Sequence, residues 1–383
     1  MGFLSICSGL VAIVSVVIGV FLLTEIPKQL GFYTWIASTD PGLIGLTPAY
    51  HYNIPWGYTY DEYYANCENI RGQHAVVTGA NTGLGFSIAE ELAKCGVNVV
   101  LTCRSVSKCE GAIAKIKDDG SIKHDASLSM LIMDTSSLAS VKDASQELVQ
   151  RFTLQDEDGD STMGAIDMVF FNAGRGIVLG EELDKDTGVA LSGDGIESIF
   201  HTNVLGHHLM WRYISPLVEN SKMGRVIMTS SAASFDTIDG KVATSLEELH
   251  VPDTQPRFFY GNSKLAQIVW AKKLTRMLPP DSSIYVNAAH PGAVDTEIWR
   301  KVNWPSFMEG FVEYMQKDAM WSSADGALTL LYLGVQTDQL NGKDIRGKYF
   351  HPQTQEVVNE YALVEKDQDD LWKFCDELVS EYV

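Results

Sequence analysis

The sequence predicts an α/β fold: a doubly wound, mostly parallel sheet with helices on both faces. Three observations predict it. Short apolar runs alternate with longer segments of helical periodicity from residue 72 onward. A glycine-rich turn, Thr78-Gly79-Ala80-Asn81-Thr82-Gly83-Leu84-Gly85, joins the first apolar run to the first helical segment. The polar residues that stand out each close an apolar run, and open parallel sheets gather their ligands at those strand ends.

The elements follow in order. Ala75 to Val77 is apolar and breaks into the glycine turn. Leu84, Ile88 and Leu92 then recur at helical spacing until Cys95-Gly96, where the glycine is a helix stop. Val97 to Thr102 reads as a second strand, closed by Cys103-Arg104. Further strands are expected at Leu128–Met133, Met168–Phe171, Arg225–Thr229, Ile284–Ala288 and Lys348–Phe350. Helices are expected between them, at about 108–118, 138–152, 195–220, 260–278 and 323–334. Such alternation covers a parallel sheet on both faces. The strand ends then fall at Gly79, Arg104, Asp134, Asn172, Ser231 and Pro291.

Composition narrows the partners. A chain of 383 residues, 45% hydrophobic and 20% charged, can bury a sizeable core in one large domain or two modest ones. A formal charge of −20 with no basic stripe excludes nucleic acid as a partner. Cys7, Cys67, Cys95, Cys103, Cys109 and Cys375 show neither a CxxC pair nor zinc spacing, so reduced, packed thiols are expected rather than a disulfide framework. His201, His207 and His208 lack the i, i+4 spacing of a zinc helix, and no metal is expected. The acidic stretch Asp156-Glu157-Asp158-Gly159-Asp160 reads as a solvated loop.

The N-terminus is distinct. Phe3 to Leu23 runs 21 residues without a charge, about the ~20 that span a bilayer core as a helix. It lacks the basic start and small-residue cleavage site of a signal peptide, so a retained transmembrane helix is expected. Lys28 on its C-terminal side, and the absence of any Asn-x-Ser/Thr sequon, favour a cytosolic domain. The expected organisation is an anchor at 1–28, an aromatic-rich extension at 29–71 and a nucleotide-binding domain at 72–383. The extension holds Phe32, Tyr33, Trp35, Tyr50, Tyr52, Trp56, Tyr58, Tyr60, Tyr63 and Tyr64. Two readings stand for it: a collar in the membrane headgroup layer, or an extension packed on the domain.

The chemistry is expected around Tyr260-Gly261-Asn262-Ser263-Lys264, which sets a phenol and an ammonium four apart on one helix face. That pair alone is a weak signal; its company is not. Phe171-Asn172-Ala173-Gly174 and Met228-Thr229-Ser230-Ser231 end strands, Thr202-Asn203-Val204-Leu205-Gly206 lies within a helix, and His290-Pro291-Gly292 is followed by Thr296. With the glycine turn, these motifs resemble the short-chain dehydrogenase/reductase family, in its order, over roughly residues 72–380. Cys103-Arg104, the His207 that follows Gly206, and the tail Leu371-Trp372-Lys373-Phe374-Cys375 resemble its retinol dehydrogenase-like membrane branch.

The resemblance implies a Rossmann-type fold and a division of labour. Tyr260 is the implied proton donor to the substrate oxygen in reduction, and the base in oxidation. A free phenol, with a pKa of roughly 10, needs a nearby cation to serve as a base, and Lys264 is placed to be it. Ser231, taken over Ser230, is the implied partner of the substrate oxygen, and Asn203 the residue that binds a water linking Lys264 to solvent. Gly79, Asn81, Thr82, Gly83, Leu84, Gly85, Asn172, Ala173, Gly174, Tyr260, Lys264, Pro291, Gly292 and Thr296 are the implied cofactor contacts, with Asp134 at the adenine. Arg175 reads as a surface residue.

An acid at the end of the second strand would bind the ribose hydroxyl of NAD. This chain has none there, and Arg104 can grip a 2′-phosphate instead, so NADP(H) is the expected cofactor. Trp299, Trp304, Phe307, Phe311, Tyr314, Met315, Met320 and Trp321 follow Gly292. They fit a lid over an apolar substrate, a helix packed on the core, or a surface dipping into lipid. The expected function is a membrane-anchored oxidoreductase acting on a lipophilic aldehyde, ketone or alcohol, such as a retinoid, a sterol or a lipid-derived carbonyl. Endoplasmic reticulum or lipid droplet is the expected site, and a homodimer is compatible. The alternative is a membrane-tethered nucleotide sensor or scaffold without turnover.

Overall fold

Strand and helix alternate as the apolar pattern requires. The computed structural model describes residues 58–122, 126–155, 161–178, 181–252, 254, 256–294 and 321–383. Its strands are β1 (His74–Val77), β2 (Asn98–Cys103), β3 (Leu128–Ile132), β4 (Thr153–Gln155), β5 (Ser161–Met163), β6 (Met168–Phe171), β7 (Gly224–Thr229), β8 (Ile284–Ala289), β9 (Tyr349–His351) and β10 (Gln355–Val357). Its α-helices begin with α1 (Tyr60–Ala65), α2 (Cys67–Ile70), α3 (Gly83–Lys94), α4 (Val106–Asp118) and α5 (Leu138–Arg151). Next come α6 (Ser198–Phe200), α7 (Gly206–Glu219), α8 (Leu246–Leu249) and α9 (Pro256–Met277), then α10 (Ser323–Val335), α11 (Thr337–Gly342) and α12 (Glu365–Val379).

Eight strands form one sheet in the order β10-β9-β8-β7-β6-β1-β2-β3. Every pair is parallel except β9–β10. The register brings Val77 beside Leu101 on one side and Phe170 on the other. From β1 the chain winds outward to β2 and β3, then returns to β6 and winds the other way. The carboxyl ends of β1 and β6 thus flank a switch point, where doubly wound sheets open a ligand crevice.

Alternation along each strand feeds two cores. Met168 and Phe170 join one cluster with Ile88, Leu92 and Leu331; Val169 and Phe171 join the other with Leu209, Trp270 and Leu371. Strands β6, β7 and β8 are buried at every position, as a sheet covered on both faces demands. That explains why their sequences are largely apolar rather than alternating, with Arg225 and Asn287 as buried exceptions hydrogen-bonded to the Gly334 and Ile345 carbonyls.

Several features depart from the sequence reading. The helix expected at 195–220 is broken by a π-helical turn at His201–Leu205. The hairpin β4–β5 and helices α1, α2 and α12 carried no expectation. Tyr58 and Tyr63 are buried, Tyr60 Oη donates to the Ala324 carbonyl (2.7 Å) and Tyr64 Oη donates to Glu91 (2.6 Å). These four tyrosines therefore pack on the domain, which decides the aromatic extension for residues 58–64.

The cysteine expectation needs a correction. Disulfides join Cys67 to Cys95 and Cys103 to Cys109, while Cys375 is a free buried thiol. The first staples α2 to the end of α3, and the second links the end of β2 to α4. Neither spacing has a sequence signature, because tertiary packing brings the partners together. Residues 3–23, the aromatic residues up to Trp56, Cys7, the acidic stretch 156–160, Thr296 and the aromatic run from Trp299 to Met320 lie outside the described residues. Among the described residues no helix is long and apolar enough to cross a membrane.

Candidate active site

The site begins at the glycine turn. Gly79 adopts a positive φ of 66°, which favours glycine. A Cβ on Gly85 would lie 2.5 Å from both the Gly79 carbonyl oxygen and Asn172 Nδ2, so only glycine lets α3 approach β1 and β6 so closely. Thr82 occupies the N-cap of α3 in extended backbone and makes no side-chain cap bond. The first-turn N–H groups, at the positive end of the helix dipole, suit an anion. Leu84 is buried, whereas Asn81 is half-buried and Thr82 exposed.

Thr78 locks the neighbouring loop to this turn. Its hydroxyl oxygen accepts from the N–H groups of Asn172 and Ala173, each at 2.8 Å, and Asn172 Nδ2 donates to the Thr78 carbonyl at 3.0 Å. Thr78 Oγ1 also meets His207 Nε2 at 3.0 Å, and His207 Nδ1 meets the Asn203 carbonyl at 3.0 Å. Burial drives the His207 pKa down to about 4, so the ring is neutral. A carbonyl oxygen can only accept, so Nδ1 carries the proton and Nε2 is left as an acceptor facing the Thr78 hydroxyl, which also lies 3.2 Å from the Phe170 carbonyl. Asn203 Oδ1 accepts from the Arg175 N–H (2.7 Å), and its Nδ2 donates to the Arg175 carbonyl (3.1 Å) and Ser263 Oγ (3.0 Å). The π-helical turn presents this asparagine to the loop after β6, and such turns recur at functional sites. Arg175 pairs its guanidinium with Glu181 at 2.6 Å.

Helix α9 brings the phenol and the ammonium. Gly261 makes that approach possible: a Cβ there would sit 1.9 Å from the Asp236 carbonyl oxygen, so the helix packs directly on the turn that follows Ser231. Ser231 accepts from the Ala233 N–H (3.2 Å) and faces the Tyr260 phenol. Ser230, its neighbour, is buried and donates instead to the Lys264 carbonyl (2.7 Å). Burial raises the Tyr260 pKa, and the Ser231 hydroxyl lowers it in part. Lys264 Nζ lies 5.5 Å from the Tyr260 ring centre and donates to the Thr229 carbonyl (2.8 Å) and Gln267 Oε1 (3.0 Å). Burial depresses its pKa to about 7.

The remaining expected residues spread outward. Ala80 N–H donates to the Thr102 carbonyl at 3.0 Å, tying the glycine turn to the end of β2, and Arg104 lies exposed two residues beyond Thr102. Asp134 follows β3, with Oδ1 engaged by the Ser136 N–H (2.9 Å) and hydroxyl (2.6 Å). Pro291 and Gly292 follow β8; Gly292 has a φ of 92° and packs under Trp321. The three histidines are separately engaged: His201 with Ser192, His207 as above, and His208 with Asp376 and Trp270. Sequence reasoning assigned no role to Thr78 or Gln267. Thr78 stood inside the glycine motif, and Gln267 stood three residues after Lys264 on the same helix face.

A phosphate-suited turn at a switch point, with a phenol, a serine and a buried ammonium near the adjoining strand ends, is an arrangement that could serve a dinucleotide-dependent oxidoreductase. The short chain dehydrogenase family model matches residues 73–245. The chain is similar to the short-chain dehydrogenase/reductase family, and its relatives support the retinol dehydrogenase-like branch. Retinol dehydrogenase 14 of Mus musculus is 28% identical over 319 residues, covering 81% of this chain and 86% of that protein. Retinol dehydrogenase 12 of Mus musculus is 29% identical over 314 residues, covering 81% and 87%. A short chain dehydrogenase from Burkholderia cenocepacia, solved in complex with NADP, shares the fold at a TM-score of 0.52 and 23% identity, over 74% of this chain and 97% of that one. The protein is thus a dehydrogenase/reductase of a fold that binds a nicotinamide cofactor.

Proposed function

We propose that this chain is a membrane-attached, NADP(H)-dependent oxidoreductase that interconverts a carbonyl and an alcohol on a lipophilic substrate. The observation that carries the reading is the Lys264 ammonium 5.5 Å from the Tyr260 ring, on the helix that packs against the turn after Ser231. Gly79, Gly83 and Gly85 would hold the cofactor's pyrophosphate at the start of α3, and the loop Asn172-Ala173-Gly174 would line it. Pro291 and Gly292 would flank the nicotinamide. When bound, the cofactor supplies or takes the hydride. The chain does the rest. Ser231 orients the substrate oxygen, Tyr260 gives it a proton in reduction or takes one in oxidation, and Lys264 stabilises the phenolate.

Arg104 supports NADP(H), since it follows β2 where an acid would serve NAD. The relatives named retinol dehydrogenase support a lipophilic substrate. The uncharged run 3–23 supports membrane attachment. Which side the domain faces is a separate matter. Lys28 favours the cytosol, but two disulfides favour an oxidising lumen, because such bonds rarely persist in the cytosol. That observation favours the lumenal reading over the cytosolic one.

The test is turnover. Protein incubated with NADPH and a panel of lipophilic carbonyls should consume NADPH, followed by absorbance. Tyr260→Phe keeps the ring and removes the hydroxyl, so NADPH should still bind while turnover falls by about 10²–10⁴. Lys264→Met should weaken both turnover and cofactor affinity. Near-normal turnover in Tyr260→Phe removes the mechanism, and nucleotide binding without turnover on any carbonyl favours the sensor or scaffold alternative.

A further inference from the structure

The family resemblance implied a water between Asn203 and Lys264, and the geometry offers that water no acceptor at the asparagine carbonyl. Gln267 Nε2 donates to this oxygen at 2.9 Å, and His207 Nδ1 reaches it at 3.0 Å, so both lone pairs are engaged by protein. The other end of the same amide, Oε1, accepts from Lys264 Nζ at 3.0 Å. Gln267 is fully buried, as are Asn203 and His207.

We propose that Gln267 is a positioning residue whose side-chain amide replaces that water, tying the Asn203 carbonyl to Lys264 and holding the lysine in its charged form. This rests on Lys264 belonging to the catalytic set. A glutamine amide suits the task because one end donates while the other accepts, so it links a carbonyl to an ammonium in one orientation only. The groups facing Lys264 leave the amide as a principal support. From its own helix comes the Tyr260 ring; from β7 comes the Thr229 carbonyl. His207 from α7 and His290 from the end of β8 would oppose the charge only if protonated, and burial keeps both neutral. No carboxylate among the described residues offsets the burial of the ammonium.

The experiment titrates the lysine directly. The full chain in detergent, labelled with 13C at lysine Cε, should show one lysine resonance titrating near neutrality that disappears in Lys264→Met. In Gln267→Leu the acceptor is lost, and that resonance should titrate about 1–2 pH units lower. In Gln267→Glu a carboxylate replaces the amide oxygen, and it should titrate about 1–3 pH units higher. With NADPH and retinaldehyde as probes, the alkaline limb of kcat should move in the same two directions, because activity requires the ammonium. A merely structural glutamine would weaken both variants without moving the titration in opposite senses. A Lys264 resonance that titrates at the wild-type pH in both variants overturns the proposal, whatever the turnover. If the resonance moves as expected while wild type reduces no carbonyl, the oxidoreductase reading fails and the bridge stands.

Discussion

Arg104 follows the last residue of β2, two positions beyond the Thr102 carbonyl that accepts from the glycine turn. NAD and NADP share a pyrophosphate, so the glycines of that turn cannot separate them. Discrimination falls to the end of β2, where the cofactors differ by one phosphate. A charge-assisted bond there contributes roughly 1.5–3 kcal/mol, about ten- to a hundredfold in affinity. Arg104→Ala should weaken NADPH by that factor and leave NADH almost unchanged, measured as a pair of dissociation constants. Equal weakening of both cofactors would mean that the arginine supports the fold instead. At this scale the sequence was legible where spacing places neighbours, as with Tyr260 and Lys264 on one helix face. It was silent where a contact joins distant positions: Gln267 and Asn203 lie 64 residues apart, and no spacing rule pairs them. The choice between Ser230 and Ser231 depends on which hydroxyl is spent on the Lys264 carbonyl, which only packing reveals.

The segment from α6 through α7 concentrates buried imidazoles. Burial lowers the pKa of His201 and His207 to about 4 and depresses that of His208 as well. An unfolded histidine binds its proton near 6.5. Between roughly pH 6.5 and 4 the unfolded chain therefore holds more protons than the native one, and stability falls as pH falls across that window. Each such group contributes about 1.4 kcal/mol per pH unit there. Urea unfolding between pH 7 and 5 should show the loss, and His207→Gln should be less stable at pH 7 yet flatter by about one group's share. Parallel slopes in wild type and variant would contradict this assignment. Among the elements, the buried strands and long helices were legible because burial imposes apolar runs and periodicity. Helix α12 was not, since it opens on Glu365-Lys366-Asp367-Gln368-Asp369-Asp370 and turns apolar only at Leu371. The β5 strand of the short hairpin is exposed throughout and leaves no hydrophobic trace at all.

For the whole molecule, the membrane proposal rests on residues 3–23 and has a direct check. Full-length protein should stay with membranes through a high-salt wash, and removal of residues 1–28 should release it while NADPH binding persists. A full-length chain that washes off in salt ends the anchor proposal. Protease treatment of intact vesicles then separates the two faces: protection places the domain with its disulfides in the lumen. The sheet itself raises a different question, that of solubility. Among the described residues β10 and β3 are the outer strands of the sheet, and on β3 Ile132 is 37% exposed. An outer strand of this kind is a template on which a second chain can add, the first step of aggregation. Arg151, at the end of α5, donates from Nη1 to the Met130 carbonyl at 2.8 Å. One of the acceptors that an incoming strand would need is therefore already taken, and a charged side chain lies across its path.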